Sequence, residues 1–182
     1  MFGLSIKEQA DELYEKGFED LLRCLTIKGI IDNDELPRVI WSDAYMQGFF
    51  FGLAFHFRAI MVNRPPTEKP TEKDMFVVNY LLENHIALNG GYEDLQETLD
   101  SLQTGNTQEG WSKDEYMLAT NHAINIAAIM HDKLAPQFHD EEEIIMAKDL
   151  AQQMFGSQQG ASVAAVLPII YLSDRMKKLT KS

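Results

Sequence analysis

The stretch GFFFGLAFHF, residues 48–57, carries the strongest structural signal in this sequence. Apolar side chains occupy seven of its ten positions. The uncharged run that contains it lies between Asp43 and Arg58 and is only 14 residues long. A membrane-spanning helix needs ~20 predominantly apolar residues, and this run also includes Gln47 and His56. The stretch therefore predicts a buried helix of a globular protein, and we expect no transmembrane segment.

A helical projection at ~100° per residue separates the faces of this predicted helix. The larger apolar residues form one broad face: Met46, Phe49, Phe50, Leu53, Phe57 and Ile60. Small residues form a strip where the backbone of another helix can approach closely: Gly48, Gly52 and Ala59. A helix that is apolar nearly all round is a buried one. We therefore expect a central apolar helix over about 35–63, wrapped by its neighbours.

The helical period recurs along the rest of the chain, and no stretch alternates as a strand does. Capping boxes precede several of the apolar runs, most clearly at Ser5 with Glu8 and at Ser112 with Glu115. The predicted helices cover about 5–27, 35–63, 72–88, 92–102, 113–134, 141–155 and 158–180. A Pro-rich connector at 64–73 and a polar loop at 103–111 separate some of them. These patterns predict one compact all-α domain of about seven helices over residues 1–182.

Composition narrows the class of protein. Of the 182 residues, 45% are hydrophobic and 24% are charged, as in ordinary globular proteins. The net charge of −12 argues against nucleic-acid binding, because neutralising phosphates requires a basic surface. Cys24 is the only cysteine and is expected to be a buried, unreactive thiol. The N-terminus lacks the pattern of a secretory signal, which predicts a cytoplasmic location.

The segment 126–132 suggests a possible catalytic chemistry. It reads Ile-Ala-Ala-Ile-Met followed by His131 and Asp132. This His-Asp pair after an apolar helix resembles the metal-binding pair of HD-domain phosphohydrolases. The resemblance implies that both residues hold a divalent metal, which activates water for attack on a phosphoester. The segment around Asp174 is similar to the one that supplies such families with a late aspartate ligand.

An earlier histidine ligand would complete this resemblance. His122 lies nine residues before His131 on the same predicted helix, so the two side chains point about 180° apart. His85 would therefore have to serve instead. The Gly-Lys that often follows the family's His-Asp pair is replaced here by Lys133 and Leu134.

Two functional hypotheses follow. The first is a non-enzymatic, acidic helical interaction module of the adaptor, chaperone, immunity or regulatory type, which needs no cofactor. It would contact another protein, or a second copy in a homodimer, through Phe51, Phe55 and Tyr45. The rings of Phe51 and Phe55 stand outside the broad apolar face, and the helix carries more aromatic side chains than its core needs. The alternative is a metal-dependent phosphohydrolase with His131, Asp132, Asp174 and His85 as ligands of a divalent metal.

Overall fold

The computed structural model describes residues 3–65, 68–104, 111–130 and 141–180, which form a compact all-helical arrangement. Across these ranges there are eight α-helices and no strand. The helices are α1 (Ile6–Gly17), α2 (Glu19–Ile27), α3 (Ala44–Met61), α4 (Glu72–Leu81), α5 (Gly91–Thr104), α6 (Lys113–Met130), α7 (Glu141–Phe155) and α8 (Gly160–Leu179). A 3₁₀ turn, Arg38–Ser42, precedes α3, and a π turn, Leu82–Ile86, follows α4. The predicted all-α class is confirmed.

The predicted helix over 5–27 is in fact two helices. They meet at Phe18, whose side chain is fully buried and whose backbone leaves the helical region. The Phe18 ring meets Phe57 of α3 edge-on, with ring centroids 5.8 Å apart. A Cβ at Gly17 would lie only 2.6 Å from the Phe57 ring, so the end of α1 packs closely against α3. The chain therefore breaks its helix where it packs on α3, and the helical period of the sequence did not predict this break.

The predicted helix over 35–63 begins later than expected. A helix that begins at residue 35 would have Asp34 as its N-cap, but the N-cap is Asp43, whose carboxylate accepts a hydrogen bond from the Met46 N–H at 2.9 Å. Asp34 instead lies in a turn with φ of 59°. Pro37 precedes the 3₁₀ turn, so the early residues of the predicted helix form a separate short element.

Gly48 and Gly52 of α3 lie against α6, at positions where the sequence predicted the close approach of another helix. A Cβ at Gly48 would be 2.3 Å from the Tyr116 carbonyl oxygen, and one at Gly52 would be 3.1 Å from the Thr120 Cα. The Thr120 hydroxyl reaches the Gly48 carbonyl oxygen at 3.3 Å. Most of α3 is buried, and α1, α4 and α6 pack against it.

A buried ion network joins α1, α3 and α4. The Arg58 guanidinium donates to the Asp74 carboxylate at 2.9 Å and to the Gln9 side-chain oxygen at 2.7 Å. Arg64 donates to the other carboxylate oxygen of Asp74, which also accepts from the Thr71 N–H at 2.9 Å. Burial alone would raise the pKa of Asp74, but these hydrogen bonds outweigh burial and hold the pKa well below its usual value.

Candidate functional site

Phe51 and Phe55, two of the predicted contact residues, line one pocket on the surface. Both side chains are half-buried, and their rings meet edge-on with centroids 4.7 Å apart. The pocket has a volume of about 330 Å³ and lies between α3, α4 and α6. Met75 of α4 and Met117 of α6 line it as well, and they are 39% and 49% exposed. We call these four side chains the Phe–Met surface.

Tyr45, the third predicted contact residue, does not belong to this surface. It is only 6% exposed, and its hydroxyl lies 2.8 Å from His122 Nδ1. The Arg175 guanidinium lies over its ring, 4.9 Å from the centroid. The first turn of α3 therefore places Tyr45 against α6 and α8, where its side chain is almost entirely buried.

A polar cluster surrounds His122. Its buried ring stacks on Tyr171 with centroids 4.4 Å apart, and the Tyr171 hydroxyl donates to Glu143 at 2.8 Å. Burial, followed by the charge of Glu143, raises the pKa of Tyr45, so its phenol stays protonated and can donate to His122 Nδ1. Arg175 closes the cluster with two hydrogen bonds to the Asp43 carboxylate, at 2.8 and 2.9 Å. This network joins α3, α6, α7 and α8.

The residues of the predicted metal site lie partly outside the described structure. Nothing is described at His131 and Asp132. The Asp174 side chain is 89% exposed, with Lys177 3.9 Å away. His85 Nε2 lies 2.9 Å from the Asp11 carboxylate. Within the described ranges, no three His, Cys, Asp or Glu side chains form a group that could hold a metal ion, so this ligand set stays a prediction.

Arg64 forms one boundary of the pocket at the Phe–Met surface. Asn63, with φ of 53°, ends α3 in a left-handed turn, and the Arg64 N–H then bonds back to the Ala59 carbonyl at 2.8 Å. This turn directs the chain so that Arg64 lines the pocket. Its side chain is 10% exposed. The Arg64 Nε–H, unlike the Nη1 that bonds Asp74, has no hydrogen-bond partner among the described residues.

His56 and Glu68 complete the polar part of this pocket. Burial, and then the charge of Arg64, lowers the pKa of His56 to about 4. The imidazole is therefore neutral at neutral pH. Glu68 is exposed and makes no hydrogen bond to the Arg64 guanidinium. The pocket thus combines apolar walls with one guanidinium, one exposed carboxylate and one neutral imidazole.

A larger apolar groove of about 670 Å³ lies between α2, α3, α7 and α8. Lys16 and Arg23 stand at its edge, but each already pairs with a carboxylate of its own helix. Cys24 lines the groove as a half-buried thiol, and burial raises its pKa, which agrees with the prediction of low reactivity. Asp20, Lys28 and Ser162 also line the groove, but among the described residues no groove-lining side chain has a buried polar atom without a hydrogen-bond partner, in contrast to Arg64 in the other pocket.

Sequence reasoning identified Phe51 and Phe55 but missed Met75, Met117 and Arg64. The two methionines lie on other helices, and the contact between those helices is not encoded in any local pattern. For Arg64 one signal was present, because an Asn before a Pro-rich segment is typical of a left-handed helix end.

No described helix combines the length and the apolar character that crossing a membrane requires. Comparisons with protein-family models, with curated proteins and with solved structures find no match to this chain.

Proposed function

We propose that this chain is a protein–protein interaction module that binds a partner through the Phe–Met surface. One observation carries the proposal: four apolar side chains from three helices surround one half-open pocket, and two of them are more than a third exposed. The earlier hypothesis of an acidic interaction module is retained. Its contact residues become Phe51, Phe55, Met75 and Met117.

The residue types at this surface suit protein recognition. Aromatic residues and methionine are enriched where protein interfaces are buried. Phenylalanine supplies a rigid apolar face, whereas the unbranched methionine side chain adapts to the shape of an incoming group. A pocket of about 330 Å³ is at the small end of ligand-binding cavities. It suits one or two large apolar side chains of a partner.

The occupant that we propose is an amphipathic helix of another protein. Such a helix inserts apolar side chains spaced three or four residues apart into a groove between the helices of its receptor. Here the groove lies between α3 and α6, and Met75 of α4 contributes one side of it. Binding would remove Met75 and Met117 from water, and burying apolar surface is the main favourable term in association.

Photo-crosslinking tests the proposal directly. A benzoylphenylalanine at Met117 is introduced in cells that produce the full chain, and a second variant carries it at Met146 of α7 as the control. Both methionines are helical and exposed, at 49% and 57%. We expect an adduct with a partner protein from position 117 and none from position 146. Equal adducts from both positions, or no adduct from 117, would contradict the proposal.

A charge substitution provides the matching loss of function. Met117→Lys introduces a cation into the Phe–Met surface, whereas Met146→Lys makes the same change on another exposed helical face. Association should be lost in Met117→Lys alone, with the circular dichroism of both variants unchanged.

Native mass spectrometry of the unmodified protein, purified without chelators, distinguishes a homodimer from a metal-binding protein. A mass of twice the chain makes the partner a second copy, and added transition-metal ions favour the hydrolase hypothesis instead.

A further inference from the structure

The ion network beside the Phe–Met surface is unbalanced. Arg58 and Arg64 share the single carboxylate of Asp74, and their other partners there, Gln9 and Thr71, are neutral. Two positive charges therefore face one negative charge, and all three ionic side chains are at least nine-tenths buried. One buried positive charge remains without a counterion in this network.

The Nε–H of Arg64, a residue that lines the pocket, is buried from water. It has no hydrogen-bond partner among the described residues. A buried donor on a charged group is costly to leave unpaired, so such groups in native proteins call for an explanation. A guanidinium also presents several N–H groups in a fixed plane, which matches the two oxygens of a carboxylate.

We propose that the segment bound at the Phe–Met surface presents a carboxylate to Arg64, from an Asp or Glu next to the large apolar side chain that fills the pocket. This inference rests on the proposed function and specifies the chemistry of the partner. A backbone carbonyl could accept from the Nε–H but would leave the excess positive charge without a counterion. A carboxylate satisfies both requirements, and hydrogen bonds between charged groups are roughly twice as strong as neutral ones.

The electrostatics of the pocket agree with this assignment. Burial first, and then the charge of Arg64, lower the pKa of His56, and both residues line the pocket. The net charge of −12 would repel an acidic group at long range. However, exposed charges more than ~8 Å apart are largely screened at physiological ionic strength. The nearby guanidinium therefore has the larger effect on an acidic group in the pocket. Glu68 is exposed to water and makes no hydrogen bond to Arg64.

Methyl NMR with two matched probes tests the inference on the full chain. The protein is labelled with ¹³C at its methionine methyl groups and titrated with 3-phenylpropionate, which combines an aromatic ring and a carboxylate. A second titration uses 3-phenylpropionamide, which has the same shape without the charge. We expect saturable shifts of the Met75 and Met117 methyl signals, with Met146 unchanged, and at least tenfold tighter binding of the acid. Equal affinity for the two probes, or no shift with either, would overturn the inference.

The variant Arg64→Gln provides a second test. It should reduce the affinity for 3-phenylpropionate at least tenfold and the affinity for the amide much less. If this variant does not fold, the comparison of the two probes on the unmodified protein still decides. Unchanged acid binding in a folded Arg64→Gln variant would refute the role of Arg64.

The inference and the proposed function can fail separately. A partner crosslinked at Met117 that binds equally well after its acidic contact residues are changed to amides would end the inference and leave the proposed function standing. If 3-phenylpropionate binds through Arg64 but no protein is crosslinked, the pocket is a site for small apolar carboxylic acids and the proposed function is wrong.

Discussion

Replacing Gly48 by alanine tests the contact between α3 and α6 that organises this fold. At Gly48 a Cβ would lie 2.3 Å from the Tyr116 carbonyl oxygen and 3.0 Å from the carbonyl carbon. These are backbone atoms of α6, so no side-chain rotation can make room. Either α6 moves away by about 1 Å, or the two helices tilt apart and lose contacts on both sides of the substitution.

Two opposing effects determine the magnitude. Alanine favours a helix by about 1 kcal/mol over glycine. Inserting a methyl group into a well-packed interior costs about 1–3 kcal/mol, and the upper part of this range applies where rigid backbone is displaced. We therefore expect Gly48→Ala to lower the free energy of unfolding by about 1–2 kcal/mol. For a chain of this size each 1 kcal/mol corresponds to roughly 2–4 °C in the melting temperature.

Gly52→Ala is the matched control, because it lies one helical turn further on and contacts the same helix. Its Cβ would be 3.1 Å from the Thr120 Cα and 3.2 Å from the Ala123 Cβ, so a shift of a few tenths of an ångström suffices. The gain in helix propensity then offsets most of the strain, and we expect a change within about 0.5 kcal/mol.

Urea denaturation followed by circular dichroism measures both variants. The reasoning requires a clear difference between them, with Gly48→Ala the less stable. A Gly48→Ala protein as stable as the parent would show that the helices do not approach as closely at this residue as described. Equal destabilisation of both variants would show that the two glycines differ less than their distances indicate.

Three further predictions concern buried polar groups. Asp74→Asn should lower the free energy of unfolding by about 3–5 kcal/mol, because two buried guanidiniums lose their counterion. The pKa of Asp74 is lower in the folded than in the unfolded state, so its contribution to the free energy of unfolding is complete above pH ~4 and declines below it. In urea titrations at decreasing pH, the free energy of unfolding should therefore fall less steeply in the variant than in the parent protein. Tyr45→Phe should cost about 1 kcal/mol in the same assay by removing the hydrogen bond between Tyr45 and His122, and an unchanged stability would refute that hydrogen bond. His56, whose pKa is lowered to about 4, is neutral when folded and protonated when unfolded between pH ~6.5 and 4, so stability should fall as the pH drops through this window, by at most about 3 kcal/mol. His56→Gln should remove this part of the pH dependence, and an identical pH profile in the variant would show that His56 is not buried as described.

The parts of the fold that the sequence predicted are those that depend on one helix at a time. The projection of α3 placed Gly48 and Gly52 on one strip, and this needed only the helical period. The capping box of Ser5 and Glu8 was equally local and is present, with hydrogen bonds of 3.2 and 2.7 Å. The helical class followed from the same periodicity.

The wrong predictions concern features that depend on contacts between segments far apart in the sequence. Phe18 interrupts the first predicted helix where it packs on Phe57, 39 positions along the chain, which no local pattern indicates. Tyr45 is buried because α8 and Arg175 lie over it, although it shared the amphipathic character of an exposed interface residue. Asp34 would cap a helix that begins at 35, but the 3₁₀ turn with its buried Ile40 and Trp41 comes first, and Asp43 caps the helix instead.

The shared carboxylate of Asp74 also has a consequence for local motions of the chain. Separating α4 from α3 would break the contacts of Asp74 with both guanidiniums at the same time. Partial opening would leave the two buried guanidiniums without a counterion before water could reach them. This cost disfavours gradual fraying. The start of α4 should therefore open as one cooperative unit, and its amide hydrogens should exchange together with those of the α3 terminus. Although α4 follows a Pro-rich connector, its first amide hydrogens would therefore be among the slower ones in the chain to exchange with solvent.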